Sequence, residues 1–446
     1  MNISDSERIA GLLEKNNYKP TSEITEASLV IFNTCGIRQT AENRAYSTIH
    51  TLRKAQPEIK IILTGCLASR KDVQKRLKDK VDLFCEIKDF QEKFVGVLFI
   101  EPAKKKNTPV FDKSNPYKKN YLSVNPKYSN SHSAFVPIMT GCNNFCSYCV
   151  VPYARGREVS RPDSEIIAEI KTLLKNGCKE ITLLGQNVNS YNYENGGSTS
   201  IMEVEPPFSK KIDFPKLLQK IEKIPGHFWI RFISSHPKDF SDKLIETIAK
   251  SKKVCEHIHL PIQAGSDKIL TAMNRKYTAK HYLGLVKKIR SAFKKNKPGT
   301  PYSLTSDIIV GFPGETKKDF LETAESMKKI KYDLVYFGQF SPRPGTVAWK
   351  LKDNVSKLEK SRREKFLNEI LAKTTYTKNK KYVGKILEVL VDFKKDEVYF
   401  GRTRSGKDVK IKTNQKNLVG TFVKVKITKA NIWNLEVYPP ERRTTL

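Results

Sequence analysis

The chain has 446 residues, 39% of them apolar, enough for two or three domains with their own cores. The polar opening MNISDSERIAGLLEKNN and the lack of any run of about eighteen apolar residues argue against a signal peptide and a spanning helix, and predict a soluble cytoplasmic protein with no membrane partner. Eighty-one Lys and Arg against 47 Asp and Glu give a formal charge of +34, which points to a polyanion, nucleic acid before membrane, as no basic amphipathic anchor stands out.

Residues 1–105 alternate helix and strand. SERIAGLLEKN has helical spacing, ASLVIFNTC reads as a buried strand and AENRAYSTIHTLRKAQ as a second helix. KIILTGCLA is another apolar strand, and VDLFC and FVGVLFI read as shorter ones. Short apolar runs between amphipathic helices predict an open parallel α/β sheet. Cys35 and Cys66 each fall where a strand ends, the edge at which ligand-bearing loops gather. Over residues 106–133 the periodicity gives way to a basic, proline-marked linker.

Residues 134–365 repeat the strand–helix unit. AFVPIMTG leads into GCNNFCSYCV, with cysteines at 142, 146 and 149. SRPDSEIIAEIKTLLKNG reads as a complete helix, with Pro162 and acidic residues at its start and Gly177 past its end. ITLLGQN, HFWIRFISS, EHIHLPIQ, SLTSDIIVGF and YDLVYFGQFS supply further strands, and ETKKDFLETAESMKKI a helix opened by a Thr316–Asp319 capping box. The fold class is therefore α/β, and the repeated units predict a partial (β/α)6 barrel rather than a two-sided nucleotide-binding sheet. GFPGE lacks the spacing of a dinucleotide fingerprint, and no P-loop occurs.

SKLEKSRREKFLNEILAKTTYTKNKKY reads as a charged helical connector. Residues 378–440 then change character, with short strands joined by basic, glycine-containing turns. They predict a small all-β barrel, a common shape for oligonucleotide-binding modules. Lys385, Arg402, Arg404, Lys407, Lys424 and Lys429 are candidates for a phosphate-facing surface.

Eight cysteines in a long chain without secretory features do not make a disulfide scaffold, and only those at 142, 146 and 149 are grouped. Structural zinc takes four ligands, and this loop offers three. A cubane iron–sulfur cluster on three thiolates leaves one iron open to a small chelating ligand. S-adenosylmethionine can chelate through its amino and carboxylate groups, and one electron from the cluster can break its carbon–sulfur bond. Cys85, Cys178 and Cys255 read as buried structural thiols.

Cys-x3-Cys-x2-Cys at the end of the first strand of a partial barrel, with Tyr148 before the last cysteine, resembles the radical S-adenosylmethionine superfamily. FCSYCVVPYARGREVSRP, ITLLGQNVNSY, RFISSHPKDF, HLPIQAGSDKILTAMNRKYT, DIIVGFPGET and FSPRPGTVAW resemble the tRNA methylthiotransferases. FNTCGIRQTAE, TGCLA and the C-terminal strands extend the resemblance over essentially the whole chain. It is closest to the branch acting on isopentenylated adenosine at tRNA position 37, beside the anticodon.

The resemblance implies an N-terminal methylthiotransferase domain (1–105), a radical S-adenosylmethionine domain (134–365) and a TRAM-type RNA-binding β-barrel (378–440). It also implies radical methylthiolation of adenine C2, with S-adenosylmethionine as both methyl donor and source of a 5′-deoxyadenosyl radical. A radical is needed because C2 carries no acidic proton and is a poor electrophile. Cys142, Cys146 and Cys149 would hold the catalytic [4Fe-4S] cluster, and Gly185, Gln186, Asn187, Ser235, His236, Gln263 and Asp307 would approach the cofactor. Cys35 and Cys66 would hold a second [4Fe-4S] cluster tied to sulfur supply. Arg155, Arg157 and Arg161 would meet tRNA phosphate or cofactor carboxylate, unless structural salt bridges claim them. The implied partners are a tRNA anticodon stem-loop, an electron donor such as flavodoxin or ferredoxin, and a sulfur source; a monomer is expected. The rival readings are the same chemistry on N6-threonylcarbamoyladenosine and a non-catalytic iron–sulfur RNA-binding protein.

One departure stands out. The family's second cluster takes its first cysteine from a GCQMN-like stretch, after the family's first strand, whereas this chain opens MNISDSE. The expectation is a start placed too late, leaving the second site one ligand short.

Overall fold

The computed structural model describes residues 1–36, 39–98, 121–194 and 211–438. Most of the expected basic linker, residues 106–120, lies outside them. The chain divides into two compact units. The first gathers Met1–Ser129, Thr140–Val159 and Ser341–Lys350, and the second gathers Asn130–Met139, Ser160–Phe340 and Leu351–Leu446.

The first unit runs α1 (Asn2–Lys15), β1 (Leu29–Thr34), α2 (Gln39–Ala55), β2 (Lys60–Gly65), α3 (Lys71–Leu77), β3 (Leu83–Phe84) and α4 (Phe90–Leu98). The strands form a parallel sheet in the order β1-β2-β3, with Leu29 opposite Lys60 and Thr34 opposite Gly65. Side chains alternate faces along β2, and both faces are buried. Ile61 and Leu63 join Ile49 and Leu52 of α2 in one core, while Ile62 joins Ile9, Leu12 and Phe90 in another. FVGVLFI is not a strand: through Leu98 it belongs to α4, where Phe90 and Phe94, one turn apart, stack at 5.6 Å. Tyr121 and Leu122, within the expected basic linker, are instead buried in the second core. The unit also contains the cysteine segment with its short helix α5 (Val151–Arg155). The two-residue strands β5 (Met139–Thr140) and β6 (Val159–Ser160) mark where the chain passes between units.

The second unit alternates β4 (Ser133–Pro137), α6 (Asp163–Lys175), β7 (Glu180–Leu184), α7 (Phe214–Glu222), β10 (Trp229–Phe232), α8 (Asp242–Lys250) and β11 (His257–His259). The short hairpin of β8 (Asn192–Glu194) and β9 (Lys211–Asp213) interrupts after β7. After β11 come α9 (Asp267–Ala272), α10 (Ala279–Asn296), β12 (Ser303–Val310), α11 (Lys317–Ile330), β13 (Leu334–Gln339) and the long helix α12 (Lys357–Lys380). β4, β7 and β10 pair in parallel, as do β11, β12 and β13, and a parallel bridge between Ile230 and Val254 joins the two sets. Six parallel strands in chain order make the partial barrel. The Thr316–Asp319 capping box opens α11 as expected, with both reciprocal bonds present.

The C-terminal strands β14 (Ile386–Lys395), β15 (Val398–Thr403), β16 (Asp408–Lys412), β17 (Phe422–Lys426), β18 (Lys429–Ala430) and β19 (Asn434–Val437) form one curled sheet in the order β17-β14-β15-β16-β19-β18. Its turn Thr403–Lys407 closes the barrel floor. Arg231 donates to the carbonyls of Thr403 (2.7 Å) and Arg404 (3.0 Å), and Ser303 Oγ donates to Ser405 O at 2.5 Å. Gly406, at φ +72°, lies against His257, and a Cβ there would sit 3.0 Å from the ring.

This closure corrects the expected phosphate-facing set. Arg402 binds Asp392 (2.9 Å) and Glu180 (3.1 Å), Arg404 binds Glu256 (2.8 Å), and Lys407 binds Asp333 (3.0 Å). Glu180, Glu256 and Asp333 are buried carboxylates of the barrel, and a buried carboxylate needs such a partner. Lys385, Lys424 and Lys429 remain exposed.

Candidate functional site

In the first unit, the cysteine loop is held by its own backbone. Gly141 has φ +72°, and a Cβ there would lie 1.9 Å from Arg157 O, so only glycine fits. Cys142 N–H donates to Gly156 O (3.2 Å) and Cys149 N–H to Cys146 O (3.0 Å). Phe145 takes φ +48°, with the Arg157 guanidinium 4.5 Å above its ring. Arg155 is buried against Asp5 at 2.6 Å, so its role is structural. In the second unit Arg161 is likewise occupied, by Glu169 (2.6 Å) and Pro137 O (3.1 Å).

All three loop cysteines are free thiols. Burial pushes the Cys149 thiol up to about 12, with Cys146, Cys142 and Cys66 adding to the rise. Burial also raises Cys142, offset in part by hydrogen bonds from Asn144. Among the described residues no three His, Cys, Asp or Glu side chains converge closely enough for a single metal ion. Three thiols with no His, Asp or Glu beside them in the loop match a three-thiolate cubane site better than four-coordinate zinc.

Cys35 and Cys66, at the ends of β1 and β2, belong to the same unit. Cys66 N–H donates to Thr34 O (3.0 Å), and the Cβ position of Gly36 lies 3.1 Å from Cys66 Cβ and 3.3 Å from Val150 Cγ2. Gly36 thus packs against both Cys66 and Val150, which brings the neighbourhood of Cys35 and Cys66 to that of Cys149. The buried Met1 amino group lies in the field of Cys35 and Cys66, and burial lowers its basicity. Arg343, buried and lowered in basicity by that burial, donates to Gln39 Oε1 (2.7 Å) and also feels Cys35. Cys85 sits apart, 1% exposed, with burial pushing it up to about 11. Cys178 and Cys255 are also buried.

In the second unit the predicted cofactor residues follow the carboxyl ends of the barrel strands, except Asp307, which lies within β12. Gly185 has a packing reason of its own: a Cβ there would lie 2.6 Å from Met139 Cγ. Gln186 is half-buried. Asn187 is 1% exposed and donates to Asp239 (2.8 Å), but its Oδ1 has no partner. Ser235 Oγ is also buried without a partner. Ser234 (φ +71°) and Gln263 (φ +69°) hold left-handed backbones at this rim, the kind of strain that clusters at ligand sites. His236 is locked structurally. Its backbone N–H and C=O bond the Asn189 amide (2.9 and 2.8 Å), and its Nδ1 accepts from Lys238 N–H. Burial, then Arg275 and Lys238, lower its basicity to about 2, so the ring is neutral.

Asp307 faces the barrel interior with its carboxylate 3.5 Å from His259 Nε2. Thr305 Oγ1 lies between His259 Nδ1 (3.0 Å) and His257 Nε2 (3.1 Å). Sequence reasoning missed this polar column. The signal was the spacing: His257 with His259 and Thr305 with Asp307 are i, i+2 pairs within strands, so each pair shares one sheet face.

Comparison with known proteins covers nearly the whole length. The chain matches the Radical SAM superfamily over residues 136–327, the Uncharacterized protein family UPF0004 over 1–86, and the TRAM domain over 380–436. A protein of Syntrophomonas wolfei named tRNA-2-methylthio-N(6)-dimethylallyladenosine synthase is 42% identical over 98% of this chain and 94% of its own length. Relatives of the same name from Carboxydothermus hydrogenoformans (42%; 98% and 96% covered) and Clostridium botulinum (43%; 98% and 94%) match similarly. Among solved structures, the radical S-adenosylmethionine methyltransferase TsrM of Kitasatospora setae, with tryptophan and aza-SAM bound, aligns with TM-score 0.52 at 12% identity, over 78% of this chain and 72% of that one. That likeness concerns the fold alone.

Proposed function

The chain belongs to the tRNA methylthiotransferase family, and on that premise we infer that it methylthiolates C2 of N6-isopentenyladenosine at tRNA position 37. The observation that carries the reading is full-length similarity to relatives of that one name, joined to a loop of three free thiols. It is a radical S-adenosylmethionine enzyme, and its cofactors are S-adenosylmethionine and a [4Fe-4S] cluster.

Cys142, Cys146 and Cys149 hold that cluster in this reading. When bound, it would supply the single electron for reductive cleavage of S-adenosylmethionine, the source of the radical that the adenine C2 chemistry requires. Cys142 and Cys149 are held protonated by burial, so loading the site releases protons. The Asn144 amide, 3.6 Å from Cys142 Sγ, orients that thiolate. The orphaned Asn187 Oδ1 and Ser235 Oγ support polar contacts to S-adenosylmethionine at the strand ends, and Gln263 and Asp307 extend the same rim. His236, neutral and locked, positions that rim through Asn189. The turn Thr403–Lys407 keeps water out of the lumen from below.

Cys35 and Cys66 would supply two of the thiolates for a second [4Fe-4S] cluster tied to the incoming sulfur, a site one family ligand short in this chain, with Arg343 as a nearby cation. Domains of 1–105, 134–365 and 378–440, a flavodoxin or ferredoxin donor, a separate sulfur source and a cytoplasmic setting complete the proposal. Among the described residues no helix is long and apolar enough to cross a membrane.

The test is anaerobic turnover with a reductant, S-adenosylmethionine and two tRNA pools, one carrying N6-isopentenyladenosine and one N6-threonylcarbamoyladenosine. Nucleoside mass spectrometry should find the methylthio product only in the first. Product confined to the second would reassign the substrate.

A further inference from the structure

We propose that a basic basin at the floor of the barrel is a second tRNA contact, taking backbone phosphates of the RNA body away from the nucleotide being modified. The proposal rests on the tRNA reading above and names a surface for it. The cavity, about 660 Å³, is lined by the segment Gly299–Tyr302 before β12, by Lys331 and Asp333 before β13, and by the end of α12. It therefore lies at the pole of the parallel barrel opposite the strand ends that lead to Asn187, Ser235 and Gln263.

Six cations line it: Arg290, Lys331, Lys373, Lys378, Lys381 and Lys385. Asp333 is the one carboxylate in that lining, so the lining carries six positive charges against one negative, a net +5. Asp333 is already spoken for. It is 3% exposed, accepts from Lys378 and from Leu304 N–H (3.0 Å), and pairs with Lys407 (3.0 Å). Arg290 caps the carbonyl of Ile330 at the end of α11, which answers the negative end of that helix. Lys331, Lys373, Lys381 and Lys385 are exposed, with no carboxylate partner among the described residues.

A lysine-rich chain carries many solvated lysines, but these converge on one concave wall. A cleft lined by one sign of charge focuses its field outward and draws in the opposite charge. The hydroxyls of Thr374 and Thr377 donate back to Ile370 O (3.0 Å) and Lys373 O (2.9 Å), so they are not offered for reading bases. What remains is charge on flexible stems along an open rim. That chemistry suits a polymer's phosphates independently of sequence.

The experiment measures binding of isopentenylated tRNA by the anaerobically loaded holoenzyme across a salt series. The basin variant is Lys373→Glu/Lys381→Glu/Lys385→Glu, and Lys171→Glu/Lys175→Glu/Lys223→Glu makes the same charge change elsewhere on the surface. A Lys→Gln triple at the basin positions guards against a folding defect from charge reversal. Cleavage of S-adenosylmethionine without RNA should be unchanged in every variant. At about 0.1 M salt the basin variant should bind tRNA at least about tenfold more weakly, and its log–log salt slope should be shallower by about 0.7 to 0.9 per lost phosphate contact. The Lys→Gln triple should shift the same way and the surface control much less. Tripolyphosphate should compete with tRNA on the wild type and less well on the basin variants.

Affinity and slope matching the surface control would overturn the proposal. So would tripolyphosphate binding that depends on the basin while tRNA affinity does not, because the ligand would then be a free polyphosphate. A wild type that binds no tRNA would instead sink the functional reading on which the proposal rests.

Discussion

Lowering the pH from about 7 to about 5 should loosen the seal at the barrel floor through His257. The half-buried ring lies beneath Gly406, with Nε2 3.1 Å from the Thr305 hydroxyl. Burial first, then Arg231, His259 and Lys407, lower its basicity to about 3, with Asp333 pulling partly the other way. In the unfolded chain the ring protonates near 6.5. The folded value is depressed, so the unfolded state binds the proton first. The contribution is complete above about pH 6.5 and is lost as pH falls toward about 3. Each pH unit in that window costs about 1.4 kcal/mol, hence about 2 kcal/mol at pH 5. His236, lowered to about 2, adds a similar slope. The assay is urea unfolding of the wild type and His257→Gln, followed by the fluorescence of Trp229, which is buried and donates to Glu388 (3.1 Å). The stability gap between the two proteins should narrow by about 2 kcal/mol between pH 7 and pH 5. Parallel losses, with a constant gap, would refute the assignment.

Glu180→Ala should cost about 3 to 5 kcal/mol, because it strands the buried Arg231 that it holds at 2.5 Å; a loss under about 1 kcal/mol by the same unfolding assay would contradict the floor described. Ser235→Ala should raise the KM for S-adenosylmethionine about fivefold, the effect of roughly 1 kcal/mol for one hydrogen bond. An unchanged KM with a more stable protein would mean that the orphaned hydroxyl meets no ligand. Cys146→Ala should lower anaerobic iron content by about four atoms per chain, whereas Cys255→Ser, at a core position, should leave it unchanged.

The barrel was legible because parallel strands buried on both faces read as apolar runs, as in ITLLG, and because Thr316 and Asp319 mark a helix start chemically. FVGVLFI misled for the same reason: a short apolar run does not tell strand from helix, and Phe90, one turn before Phe94, lies outside the run. The thiol spacing pointed to the cluster loop, since the chemistry is written in adjacent residues. The C-terminal cations were misread because charge in a sequence does not reveal its partner. Arg402 and Glu180 are 222 residues apart, and only the fold brings them to 3.1 Å. His236 was seen as a site residue, but its lock on Asn189 depends on a loop geometry that no local pattern encodes.

The central claim is tested most directly by following the hydrogen at adenine C2. The holoenzyme would be given S-adenosylmethionine, a reductant and tRNA whose N6-isopentenyladenosine carries deuterium at C2, and the 5′-deoxyadenosine formed would be analysed by mass spectrometry. The account predicts deuterium in that product, the methylthio nucleoside in the tRNA, and neither from a Cys142→Ala/Cys146→Ala/Cys149→Ala variant. Methylthio nucleoside formed alongside unlabelled 5′-deoxyadenosine, or formed by the triple variant, would contradict it.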